Sequence, residues 1–245
     1  MNFPFLKKLK NPLSKKEEKF QNSLKPIIGY KPTKIHYFKK AFTHSSVKKE
    51  LNGKPFNYER LEFLGDTFLD AIVSNYLYIN SPNGDEGYLT QMRSKIVSRE
   101  NLNKVGKELN LISLVQSSVK KKHFGENIYG NLYEAVTGAV FLDRGYDGCK
   151  KFIYKTLLDP YVDIKRLEGK ITSYKSVLIE WCQKNKLKFD FVIKDENSKE
   201  KTKHFTVNCI IEQKIISKGR ATSKKKAEEI AARRAYYTLQ NEIEK

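Results

Sequence analysis

One run of fourteen residues, Asn57-Tyr58-Glu59-Arg60-Leu61-Glu62-Phe63-Leu64-Gly65-Asp66-Thr67-Phe68-Leu69-Asp70, constrains this chain more than any other part of it. Wound as a helix at about 100° per residue, it places Glu59, Glu62, Asp66 and Asp70 in one narrow sector. Leu61, Leu64, Gly65, Phe68 and Ile72 fall on the opposite side, which would face a core. Asn57 is placed to cap the first turn. Like charges at i,i+3 and i,i+4 cost a helix roughly a few tenths of a kcal/mol per pair. Arg60 is the sole cation of the run and points away from the stripe. A solvated acidic face is the bland explanation, yet the chain as a whole carries a net charge of +19. A hard divalent cation held by oxygen ligands accounts better for acids gathered in so basic a protein.

The charge is unevenly spread. Residues 1–50 hold 13 Lys and Arg against 3 Asp and Glu, residues 51–170 hold 17 against 15, and residues 171–245 hold 17 against 10. Basic ends around a nearly neutral centre suit a polyanion that binds outside a metal-bearing site. No run approaches the apolar length of a membrane span, and no basic amphipathic helix with an aromatic face points to a membrane surface. Met1 to Lys10 lacks the apolar core and cleavage site of a signal peptide. The cysteines, Cys149, Cys182 and Cys209, are far apart and form no metal-binding pattern. They read as buried thiols of a reducing compartment, and the cytoplasm is the expectation.

A second segment carries chemistry. Ile128 to Leu142 is nearly all apolar or small, and Glu134 is its one charge. A lone buried carboxylate is costly unless paired or bound to metal. Asn131 lies one turn earlier on the same face, and Gly130 and Gly138 permit a neighbouring helix to approach closely. The alternative is a helix edge where Asn131 and Glu134 meet water. Between the segments, Ser81-Pro82-Asn83-Gly84 breaks the chain, a helix opens at Asp85-Glu86 and runs to Ile96, and Ser98 caps another to about Leu109. Gly145 reads as a helix stop, followed by a helix to about Leu158. His44, at the end of a short helix, is given no catalytic role.

The pattern then changes. Ser173 to Lys184 suits a helix packed through Val177, Leu178, Trp181 and Cys182, while Phe189, Phe191, Ile193 and Phe205, Val207, Cys209, Ile211 alternate as two strands. Lys214 to Lys218 suits a third strand, after which Ala221 opens a helix reaching about Leu239.

Glu59-Arg60-Leu61-Glu62-Phe63-Leu64-Gly65-Asp66 closely resembles the nuclease motif of the ribonuclease III family, and the helix–three strands–helix ending resembles a double-stranded-RNA-binding domain. Together the likeness covers roughly residues 30–240 in the family's domain order. It implies an all-α nuclease domain followed by a small α+β (α-β-β-β-α) RNA-binding domain. The expected division is a basic extension at 1–25, a catalytic domain at 26–160, a linker at 161–171 and the RNA-binding domain at 172–241.

By that resemblance Glu62, Asp66, Asn131 and Glu134 would hold Mg²⁺, with Mn²⁺ as a substitute. Glu59 and Glu86 would complete the acidic cleft, Glu86 lying where the family places a further active-site acid. The expected reaction is two-metal hydrolysis of double-stranded RNA, one ion helping to form the attacking hydroxide and the other stabilising the leaving 3′ oxygen. Products would carry 5′-phosphate and 3′-hydroxyl ends with short 3′ overhangs, in rRNA and mRNA processing and decay. The resemblance also implies a homodimer, with Phe63 packing across its interface, and RNA contacts at Gln183, Lys224, Lys225 and Lys226. Lysines at a helix N-terminus oppose the macrodipole unless phosphates dock there, and duplex RNA is read by shape and backbone.

The chain departs from the family at three places. Asn131 stands where an aspartate is usual, leaving three charges in the quartet instead of four. Ile179 replaces a frequent polar contact, and Ala221 a common glycine. Asn131 keeps open a rival, a non-catalytic double-stranded-RNA-binding protein with the same fold, although the retained acids oppose it because they would repel phosphate. A basic RNA chaperone or ribosome-associated protein would explain the charge but not the acidic helix.

Overall fold

The computed structural model describes residues 14–120, 123–168, 171, 173–195 and 204–243. Two compact units divide between Glu168 and Gly169. Most of the expected N-terminal extension, and residues 196–203 between the first two expected strands of the second unit, lie outside the described residues.

The first unit is helical apart from a short hairpin. Its helices are α1 (Lys15–Ile28), α2 (Ile35–Ala41), α3 (Glu59–Asn80), α4 (Glu86–Ile96), α5 (Arg99–Glu108), α6 (Ile128–Ile153), α7 (Asp159–Tyr161) and α8 (Ile164–Glu168), with strands β1 (Glu50–Leu51) and β2 (Lys54–Pro55) before α3. The acidic run forms α3 as expected, but its entrance differs. Tyr58 is the capping residue, its carbonyl accepting the N–H groups of Leu61 and Glu62 at 2.9 Å each. Asn57 instead braces Glu59, accepting its N–H at 3.3 Å and donating to its carboxylate at 3.1 Å. The core stripe is also turned slightly from the expected one. Leu61, Leu69, Ile72, Val73 and Leu77 are buried, whereas Leu64 and Phe68 are only half-buried.

What seats α3 is its crossing with α6. A Cβ added at Gly65 would lie 1.8 Å from the carbonyl oxygen of Glu134, and one added at Gly138 would lie 2.3 Å from that of Leu61. The backbones therefore touch at a mutual glycine contact. Beside it, Asn103 on α5 accepts the N–H of Gly130 at 2.8 Å and fixes α5 against the start of α6.

Further ties close the unit. Leu24 and Ile28 bury the end of α1, so part of the stretch expected as an extension belongs to the core. The buried carboxylate of Asp143 accepts the N–H of Thr33 at 3.1 Å, its hydroxyl at 2.5 Å and the N–H of Lys34 at 2.7 Å. Gly145 breaks α6 into two helical stretches, as expected of a helix stop. It takes φ 68° and ψ −165°, a kink few other residues tolerate, and the helix resumes to Ile153 and a π-helical turn, Tyr154–Leu158. The segment expected to begin a linker carries α8, whose last carbonyls, of Leu167 and Glu168, accept the ammonium of Lys95 at 2.9 and 3.3 Å.

The second unit is α9 (Tyr174–Lys184), β3 (Phe189–Asp195), β4 (Phe205–Ile211), β5 (Lys214–Ala221) and α10 (Lys224–Ile243). The strands form an antiparallel sheet in the order β3-β4-β5, with Phe191, Cys209 and Ser217 in one row and a bulge between Cys209 and Ile210. Leu178, Val207, Cys209, Ala227, Ala231, Ala232 and Ala235 make its core. β5 is longer than expected and α10 starts later. Ala221 still pairs with Phe205, and Ser223 then accepts the N–H of Lys226 at 3.3 Å, so the helix cannot open before Ser223. The three cysteines are free and buried.

Replacing Gly65 with alanine drives a methyl group into backbone that cannot retreat as a side chain could. Gly65→Ala is expected to destabilise the protein by about 3 kcal/mol, read as a lowered urea midpoint, whereas Gly53→Ala, whose Cβ meets nothing within 4 Å, costs about 1 kcal/mol for its positive φ.

Candidate metal centre and active site

The glycine contact sets the acidic turn of α3 against the acidic turn of α6. Glu59, Glu62 and Asp66 from α3, and Asn131 and Glu134 from α6, line one cavity of about 490 Å³. Phe63, Val97, Arg99, Leu102, Asn103, Asn127 and Gly130 complete its wall. Glu59 and Asp66 are exposed, Glu62 and Glu134 half-buried. Two stretches some seventy residues apart thus contribute to one oxygen-lined hollow.

The electrostatics are strained. Burial pushes the Glu134 carboxyl up to about 8, and Asp66 and Glu62 push it further the same way, with Arg99 as partial relief. Glu62 is raised by burial and by Glu59, again eased by Arg99. One turn below Asp66, Asp70 is raised by burial against the opposing pull of Arg93, and its buried Oδ1 has no hydrogen-bond partner. Carboxylates whose ionised forms are disfavoured by burial and by one another are what a hard divalent ion would relieve. The donor set therefore fits such an ion. Among the described residues, no three Asp, Glu, His or Cys side chains are already gathered as a ligand cage.

Not every expected site residue joins the cavity. Glu86, at the start of α4, lies instead in a hollow lined by Ser74, Asn75, Tyr78, Leu89, Thr90 and Arg93. Phe63 stands on the cavity rim with 76% of its surface exposed, unusually bare for an aromatic. In the second unit Gln183, Lys224, Lys225 and Lys226 are all exposed, and the Lys224 ammonium lies 5.7 Å from the centre of the Phe205 ring. His44 is structural: its Nδ1 accepts the N–H of Ser46 at 3.1 Å and its ring packs 4.8 Å from Phe124. Sequence reasoning missed Arg99, which lines the cavity. Arg99 follows the Ser98 cap as an ordinary first-turn residue, and nothing in its own segment signals a distant carboxylate.

A family model described as Ribonuclease-III-like matches residues 35–161, and one described as Double-stranded RNA binding motif matches residues 174–239. Ribonuclease 3 of Zunongwangia profunda is 51% identical over 97% of this chain and 98% of its own length. Ribonuclease 3 of Flavobacterium psychrophilum is 52% identical over 98% of each. The crystal structure of the nuclease domain of ribonuclease III from Campylobacter jejuni covers 58% of this chain and 97% of its own, with a TM-score of 0.52 at 28% identity. A second structure of that domain is described by flexibility in a region involved in dimer formation.

The Glu134 shift has a measurable sign. Its carboxyl ionises near 4.5 in the unfolded chain and near 8 in the folded one, so the metal-free protein loses stability as pH rises through that window. Glu134→Gln is expected to raise the melting temperature in chelator at pH 8 and to leave it unchanged at pH 4, checked by calorimetry.

Proposed function

This chain belongs to the ribonuclease III family of double-stranded-RNA endoribonucleases, and we propose that the cavity between α3 and α6 is where it cuts, using Mg²⁺ held by Glu62, Asp66, Asn131 and Glu134. The observation that carries this reading is Glu134, buried against Asp66 and Glu62 with its proton affinity raised to about 8. An RNA phosphate would be repelled by such a site, so substrate and carboxylates need a cation between them. When bound, Mg²⁺ supplies the Lewis acidity that makes water a nucleophile at neutral pH and stabilises the departing 3′ oxygen.

The protein's own groups do the rest. Glu134 and Asp66 fix the ion from opposite helices, and the rigidity of their glycine contact keeps that span constant. Arg99 offsets part of the carboxylate charge at Glu62 and Glu134. Glu59 lies at the open edge, and Glu86 is proposed as an outlying acid rather than a metal ligand. Attack at phosphorus with loss of the 3′ oxygen leaves 5′-phosphate and 3′-hydroxyl ends. The exposed Phe63 supports a homodimer in which each subunit cuts one strand, giving short 3′ overhangs. Gln183 and Lys224, Lys225 and Lys226 of the second unit are proposed to hold the duplex by its backbone. Processing and decay of rRNA and mRNA in the cytoplasm is the cellular role this activity suits. No described helix is long and apolar enough to cross a membrane.

With a long labelled duplex, Mg²⁺-dependent cutting is expected, abolished by chelator and lowered at least about a hundred-fold by Glu134→Ala, with single strands of the same sequence left intact. Tight binding without cutting would support the non-catalytic alternative. Replacing Lys224, Lys225 and Lys226 together by alanine is expected to weaken duplex binding at low salt and to flatten its logarithmic salt dependence by about two to three, measured by fluorescence anisotropy.

A further inference from the structure

The cavity between α3 and α6 has a single cation on its wall. Arg99, the first residue of α5, lines it together with Glu59, Glu62, Asp66 and Glu134, and no other lysine or arginine does. A guanidinium among carboxylates would ordinarily close on one of them. This one stands off. Among the described residues it makes no hydrogen bond and no ion pair closer than 4.0 Å, and the residue is exposed. Its N–H donors are therefore open to something that enters the cavity.

The backbone beneath Arg99 is firmly held. Ser98 caps α5, its Oγ accepting the N–H of Asn101 at 3.3 Å, and the Asn101 amide donates to the carbonyl of Ile96 at 2.7 Å. Further along, Asn103 accepts the N–H of Gly130, and a Cβ added at Gly106 would lie 2.2 Å from the carbonyl oxygen of Tyr129. A close glycine contact thus seats α5 on α6, as another seats α3. The fold fixes where the arginine starts and leaves its fork without a protein partner.

A cation in this place opposes a metal ion held by Glu62 and Glu134, because like charges repel. Charge relief alone would be better served by an arginine closed onto one acid. The planar fork of a guanidinium matches two oxygens of a phosphate, and a phosphate is what an RNA strand brings to the cavity. Resting on the metal-dependent reading above, we propose that Arg99 is a catalytic residue that binds the RNA phosphate being cut, its N–H groups holding non-bridging oxygens of that phosphate. In the reaction a water oxygen bonds to phosphorus and one of its protons passes to solvent. The P–O3′ bond breaks, its electron pair leaves on the 3′ oxygen, and that oxygen takes up a proton. Arg99 exchanges no proton in this sequence. A guanidinium fixed beside the non-bridging oxygens stabilises the charge they carry while phosphorus has five oxygens.

Three full-length proteins test this: the unaltered chain, Arg99→Ala and Arg99→Lys. The residue is exposed, and melting in chelator checks that each variant is folded. Mn²⁺ binding without RNA is read from the electron paramagnetic resonance signal of the free ion, and cleavage of a labelled duplex is followed at saturating Mg²⁺. Arg99→Ala is expected to bind Mn²⁺ at least as tightly as the unaltered chain, yet to cut about a hundred-fold more slowly at saturating duplex. Arg99→Lys, which keeps the charge and loses the fork, is expected to remain about ten-fold slow. Cutting at the unaltered rate by Arg99→Ala, or a loss of cutting matched by an equal loss of Mn²⁺ affinity, would overturn the phosphate contact while leaving the nuclease reading intact. Failure of the unaltered protein to cut would overturn both.

Discussion

The contact between Gly65 and Gly138 is the constraint on which the rest of the first unit depends. Helices bearing ordinary side chains pack with axes roughly 8–10 Å apart. Here a single Cβ at either glycine would collide with the other helix's backbone. That closeness lets Asp66, next to Gly65 on α3, and Glu134, one turn before Gly138 on α6, line the same hollow. It also accounts for the strain in the site, because two helices pressed together drive their acids into mutual range and partly out of water. The ties at Asn103, Asp143 and Lys95 follow from the same demand, since each holds α5, α6 or α8 with polar groups that reach a buried or half-buried partner.

Much of this was legible in the letters. The stripe Glu59, Glu62, Asp66 named one wall of the site, and the lone charge of Glu134 in an apolar segment named the other. The two glycines beside Glu134 indicated a close neighbour. What periodicity cannot deliver is the rotation of a helix to within part of a turn, which is why Leu69 and Val73 carry the core where Leu64 and Phe68 were expected. Boundaries set by side chains far along the chain were equally hidden. Lys95 caps α8 from α4, and no reading of residues 161–168 alone could reveal it. Arg99 belongs to the same class, because its place beside Glu62 and Glu134 exists only across helices.

The two units also differ in how they were read. In the second, alternation and a helix on either side of the strands were enough, and the differences are local: β5 runs to Ala221 because Phe205 still pairs with it, and α10 waits for its Ser223 cap. In the first, the sequence marked the chemical groups more clearly than the frame. A site made of charges in an otherwise basic protein stands out, whereas a frame made of leucines and valines does not.

The crossing has a consequence for how the protein comes into being. Gly65 and its partner are about seventy residues apart, so neither wall of the cavity means anything until the other has been synthesised. At roughly 5–20 residues per second on the ribosome, α3 waits about 4 to 15 s before α6 exists to meet it. A nascent or prematurely terminated chain therefore carries its acidic stripe without the helix that closes the cavity. Synthesis thus separates the two walls in time: the hollow they line cannot exist before α6 has been made.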